Sequence, residues 1–253
     1  MRSGSKPTVD PARKRRVREG KFMKMHFKGF ISALAICSGL TITAAAAPAN
    51  PGKTYGPTLT GPATPARLTA ADGFIQRWML LEPIGVNGLT RGEVQAMVKK
   101  EYFPGQLTVL PHDGDKETVG AATLVWHAVD TKLYNVNLYH FAYSLSKPTS
   151  NILVWTVTIV NSPEEMKDVR LAIGSNAASV WWVNGQEVVG IYNDRQTVID
   201  DGVSKRITLK KGPNIVRAAI VNGGGATDFC ARFLDANDKP IKGLTVTLSE
   251  PGK

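Results

Sequence analysis

Aromatic and polar side chains crowd one stretch of this 253-residue chain. Trp181 and Trp182 stand side by side, Asn184-Gly185 follows, and Tyr192, Asn193, Asp194 and Arg195 then form an unbroken run. An aromatic face stacks on the apolar side of a pyranose, while amide, carboxylate and guanidinium groups bond its hydroxyls. The chemistry on offer is therefore carbohydrate recognition. Neighbours along a strand point to opposite faces, so only one tryptophan can enter a shared core. The other is either a ligand platform or is covered by a loop or a helix. The Tyr192–Arg195 run reads either as the lip of a binding site or as an ordinary solvated loop.

Other chemistries find fewer residues. No G-x-S-x-G occurs, and Gly174-Ser175-Asn176 only faintly echoes the Gly-Asp-Ser of small-molecule esterases. Ser175 with one histidine is the least implausible nucleophilic pair. His112, His127 and His140 form neither H-x-x-x-H nor H-E-x-x-H, so no metal site and no cofactor are expected. Asp200-Asp201 could help hold calcium, although two adjacent acids more often mark a solvated turn. Cys230, in the alternating run Asp228–Phe233, reads as a small buried hydrophobe. The glycines of Asn222–Asp228 are followed by no Lys-Ser/Thr, so the loop does not read as a P-loop-type phosphate cradle.

These groups need a scaffold, and its outline is legible. The net charge of +10 is concentrated at the front: residues 1–47 hold ten Lys and Arg against two acids, leaving +2 on the rest. Such a body has no electrostatic footprint for nucleic acid. A basic stretch with Lys21, Lys24 and Lys28, the apolar run Phe30–Ala47 and small residues at Ala45–Ala47 match a signal peptide, which predicts a secreted or periplasmic, cell-envelope protein. Membrane contact is then expected only through that segment before cleavage, and Met23 or Met25 would make a more ordinary start. Cys37 leaves with the signal, so no disulfide is expected. Residues 48–71, rich in Pro, Gly, Thr and Ala, read as a linker, and residues 72–253 as one folded domain.

Within that domain strand signals recur at short spacing: Phe74–Leu81, Gln106–Leu110, Ala121–Val129, Asn135–Tyr143, Asn151–Val160, Val169–Ile173, Ser179–Val183, Glu187–Ile191, Arg206–Lys210, Asn214–Val221 and Asp228–Leu234. Asn184-Gly185 predicts a type I′ hairpin turn, since both positions need φ > 0. Thr90–Phe103 is the one helical segment, with Thr90 and Glu93 placed as a capping box. The expected fold is all-β, a jelly-roll-type β-sandwich of two antiparallel sheets with one short helix.

Three runs then carry a resemblance: Val169-Arg-Leu-Ala-Ile-Gly-Ser-Asn176, Val180-Trp-Trp-Val-Asn-Gly-Gln-Glu-Val188 and Ile207-Thr-Leu-Lys-Lys-Gly-Pro-Asn-Ile-Val216. With Gly73–Ile84 upstream, residues 73–235 resemble galactose-binding-like and protective-antigen-like carbohydrate-binding sandwiches. That resemblance implies a secreted, non-catalytic module for polysaccharide or glycan, of the kind appended to glycoside hydrolases and acetylxylan esterases, with a partner enzyme beside it. The ligand-binding residues expected from side-chain chemistry remain Trp181, Trp182, Tyr192, Asn193, Asp194 and Arg195. The alternatives are an acetylxylan-type carbohydrate esterase and a structural or interaction domain of the envelope.

Overall fold

The structure, a computed structural model, describes residues 66–86, 93–193 and 196–248. The expected signal peptide, nearly all of the expected linker, and Thr90 lie outside these residues. Fifteen strands and two short helices follow in chain order. They are β1 (Arg67–Leu68), β2 (Arg77–Leu81), β3 (Ile84–Gly85), α1 (Val94–Lys99), β4 (Lys116–Val119), β5 (Ala122–Asp130), β6 (Val136–Asn137), α2 (Leu138–Ser144) and β7 (Ile152–Ser162). The second half adds β8 (Met166–Ser175), β9 (Ser179–Val183), β10 (Gln186–Ile191), β11 (Gly202–Val203), β12 (Ile207–Leu209), β13 (Gly212–Asn222), β14 (Asp228–Leu234) and β15 (Thr245–Thr247). Strand β1 falls inside the stretch whose composition reads as linker, and pairs with β15. Among the described residues no helix is long and apolar enough to cross a membrane.

Two antiparallel sheets form the sandwich. The large one runs β10-β9-β13-β7-β2-β5-β4, and the free edge of β7 is shared by β15, β2 and β3. The small one runs β11-β8-β14-β6, with β12 also on β8. Strand alternation sends Trp78, Val154, Trp181 and Ile220 into the core between the sheets, where Leu171, Phe229 and Phe233 of the small sheet meet them.

The other face of the large sheet is not left to water. Leu81, Trp126, Leu153, Trp155, Val180 and Trp182 form a second apolar cluster there, and Val98 of α1 and Phe103 close over it. Burial on both faces explains why β7 and β9 read as near-continuous apolar runs rather than alternating ones.

Turn chemistry sets the register. Asn184 and Gly185 have φ of 52° and 82°, the two positive values that a type I′ turn requires, and Val183 pairs with Gln186 across it. The Asn184 side chain accepts from Ile215 N–H (3.0 Å) and donates to Asn214 Oδ1 (2.9 Å), fastening this hairpin to the start of β13.

Two expected strands are something else. Asn135–Tyr143 is mostly helix α2, because Asn137 caps it by accepting from His140 N–H (2.8 Å) and Leu138, Phe141 and Ala142 fall on one helical face. It is a second helix where one was expected. Gln106–Leu110 is a turn and loop that packs against the second apolar cluster through Val109 and Leu110.

Candidate functional site

Neither tryptophan of the hairpin offers a face to solvent. Trp181 lies between the sheets with its ring centroid 5.9 Å from Trp78 and 5.5 Å from Phe229, and its indole N–H donates to Ser179 Oγ (2.9 Å). Trp182 faces the other way, as alternation demands, yet is only 6% exposed. Its ring packs 5.2 Å from Trp155, within the cluster that α1 and Phe103 cover. Cover by the helix, one of the two readings open to the sequence, is what the structure shows, and a platform at Trp181 or Trp182 is corrected accordingly.

Tyr192 is half-buried. Its hydroxyl is 3.4 Å from Glu187 Oε1, and Lys99 Nζ lies 5.7 Å from its ring centroid. A Cβ on Gly190 would fall 2.6 Å from that hydroxyl, so the glycine makes room for the tyrosine. Lys99 donates to Glu187 (2.8 Å), and this hydrogen bond raises the lysine's pKa. Tyr192 thus belongs to the edge where α1 meets the large sheet. Asn193 is exposed on the loop that follows, and Asp194 and Arg195 lie outside the described residues.

The esterase pair does not assemble. The Ser175 hydroxyl is buried, bonding Ala177 O (3.1 Å) and Ser179 Oγ (2.8 Å), and no histidine is among its partners. His112 lies beside Asp115, His127 beside Glu82, and His140 on α2. The Asp200 carboxylate forms a two-pronged ion pair with Arg232. Among the described residues no group of three or more His, Cys, Asp or Glu could hold a metal. Cys230 is a buried thiol whose pKa burial pushes up to about 12, so at neutral pH it is no nucleophile.

What the structure does bring together is one end of the small sheet. Asp228, at the start of β14, accepts hydrogen bonds from Asn135 Nδ2 and Thr197 Oγ1, and its main chain pairs with Asn137. One carboxylate thereby joins two connections, residues 131–137 and residues 196–199, at the point where the glycine-rich loop 222–227 runs into β14. Beside Asn135, Tyr134 remains 40% exposed, with its ring 5.6 Å from Phe74. The Arg232 guanidinium covers Phe74 at 4.7 Å, held by Asp200 and by the Asp72 carbonyl (3.0 Å). Leu133, next to Tyr134 in the chain, and Val198 and Ile199, which follow Thr197, are exposed. An open aromatic with aliphatic neighbours, bordered by an amide, carboxylates and a guanidinium, suits a sugar ring. The 190–196 loop flagged in the sequence leads directly into Thr197. Tyr134, Asn135 and Asp228 carry no local signal of their own, because their value lies in exposure and in contacts across the fold.

No family model and no curated protein matches the chain. Solved structures similar to it include the PA14 sugar-binding domain from an RTX adhesin, at 12% identity over 67% of this chain and 96% of that one, with a TM-score of 0.41. The PA14 domain of the MpAFP antifreeze protein is similar at 13% identity over 77% of this chain and 100% of that one, TM-score 0.39. A β-glucosidase from Kluyveromyces marxianus in complex with glucose is similar at 15% identity over 67% of this chain, TM-score 0.36, and the chain spans 19% of that enzyme.

Proposed function

We propose that this chain is an exported, non-catalytic carbohydrate-binding sandwich that holds a polysaccharide at the Asp228 end of its small sheet. One observation carries the reading: Tyr134 is open to solvent and braced by Phe74, at the margin of a hydrogen-bonded set made of Asn135, Thr197 and Asp228. A braced ring loses little side-chain entropy on binding, which favours a stacking role. Asn193 is exposed on the connection that leads along the chain to Thr197. Export follows from the basic, then apolar, first 47 residues.

The test is retention of the purified chain on a panel of plant, microbial and acetylated polysaccharides, with released sugar and acetate assayed in the same samples. Binding without products is expected, and Tyr134→Ala should weaken it about tenfold, the loss typical of a central aromatic contact. Unchanged binding in that variant overturns the site, and release of product overturns the non-catalytic reading.

A further inference from the structure

Strand β14 leads away from Asp228 to Leu234, opposite Arg170 of β8, and the positive charge of the sandwich collects at that far end. Strand β12 lies on β8, with Ile207 opposite Val169 and Leu209 opposite Met166, which brings residues 205–211 beside residues 164–170. Arg206 donates to Asp168 O (2.6 Å) and reaches the Asp238 carboxylate at 3.5 Å, which Arg170 also meets at 3.7 Å. Those contacts tie in the turn 235–242. The three segments hold eight Lys and Arg against five acids, whereas residues 48–253 as a whole carry an excess of only two. The entire positive balance of that part of the chain therefore resides at this end.

Much of that charge has no partner within the fold. Lys205, Lys210, Lys211, Lys239 and Lys242 are exposed, and among the described residues none of the five pairs with a carboxylate. Asp235 is satisfied within its own loop, accepting from Asn237 N–H (2.8 Å) and Lys239 N–H (2.9 Å). A groove of about 440 Å³ opens here, lined by Lys167 and Lys242, by the apolar Met166, Pro240 and Ile241, and by Asn237. Glu164 and Asp235, which also line it, are already counted in the balance of charge.

We infer that this groove binds an acidic polysaccharide, one whose sugar rings carry carboxylates, at a surface separate from the Tyr134 site and independent of it. Apolar wall residues suit the face of a sugar ring, and unpaired ammonium groups suit its repeated carboxylates. Two other polyanions fit less well. A membrane surface calls for protruding apolar side chains beside the cations, yet none of the exposed large hydrophobic residues falls in the three segments. A single nucleic-acid strand calls for aromatic rings on which bases stack, and the three segments contain no aromatic residue.

Titration of the full chain with polygalacturonate and with its fully methyl-esterified form tests this. The acidic form should bind at least about tenfold more tightly than the ester, and added salt should weaken it. Lys167→Glu with Lys242→Glu should remove that preference, and Lys167→Gln with Lys242→Gln, which adds no negative charge, should reduce it in the same direction. Lys100→Glu with Lys116→Glu makes the same change of charge on exposed lysines after α1 and on β4, and should leave the preference in place. Tyr134→Ala should leave it in place too, so that failure of the Tyr134 site and failure of this one are read separately. Equal binding of acid and ester, including none of either, overturns the inference. So does an equal loss in the Lys100 and Lys116 pair, or tighter binding to vesicles of anionic phospholipid or to single-stranded DNA than to polygalacturonate.

Discussion

The two sheets of this sandwich treat their outward faces differently. On the large sheet a single connection, residues 93–115, lies across the face and is fixed at several points. Phe103 enters between Trp126 and Trp155, edge-on at 6.3 and 6.2 Å. Arg217 donates to Val109 O (2.7 Å), Asp113 accepts from Ala128 N–H (2.7 Å), and Lys99 pairs with Glu187. Covering Arg217 without an acid beside it lowers its pKa to about 10 through desolvation. On the small sheet the corresponding cover among the described residues is the strap 197–201, held by Thr197 on Asp228 and by Asp200 on Arg232. Around it Tyr134, Val198 and Ile199 stay exposed. A face sealed by an aromatic plug contributes stability, and one crossed by a narrow strap keeps apolar surface for a ligand.

The contrast makes its largest prediction at Phe103. Phe103→Ala should lower stability by about 3–5 kcal/mol, because it opens a cavity between two buried tryptophans. Tyr134→Ala should change it by no more than about 0.5 kcal/mol, as expected of an exposed site. Urea unfolding of both variants decides. Similar losses would mean that the small-sheet face is structural after all, and the comparison would collapse.

A smaller effect probes the strap itself. An added Cβ at Gly174 would lie 2.1 Å from Val198 O and 3.0 Å from Cys230 Sγ. The carbonyl belongs to backbone and cannot swing aside, so Gly174→Ala must lift the strap. A loss of about 2 kcal/mol is expected from such overpacking, together with reaction of Cys230 with a thiol reagent under native conditions. Continued protection of the thiol at undiminished stability would show that the strap is looser than the contact implies.

Much of the scaffold was legible because it rests on local chemistry. Asn184-Gly185 announced its own turn, and the β-branched run Asn151–Val160 announced a central strand, here β7. Helix α2 was misread since its apolar positions Leu138, Phe141 and Ala142 are interleaved with Tyr139 and Tyr143, residues that also suit a strand. The site was less legible than the fold. Whether Trp182 is open depends on Val98 and Phe103, more than 70 residues earlier, and no pattern around Trp182 encodes that cover. Tyr134 sits in a short polar connection whose worth appears only when Asp228, Asn135 and Thr197 converge.

The mildest effect concerns pH, and the two faces should respond with opposite sign. Burial, reinforced by Asp200 and Asp228, raises the Cys230 thiol from 9.0 to about 12. Between those values the unfolded chain has released a proton that the folded chain still holds. The thiol's stabilising contribution is therefore complete below pH 9 and is lost as pH rises toward 12. Arg217 runs the other way, because its lowered pKa lets the folded chain release a proton first, adding stability above about pH 10. Urea unfolding at pH 8 and pH 10 avoids most of that second contribution. Over this interval wild type should lose ~1 kcal/mol relative to Cys230→Ala, which has no thiol to titrate. A constant difference between the two proteins would mean that water already reaches the sulfur beneath the strap, and the small-sheet face would then be more open than its buried cysteine suggests.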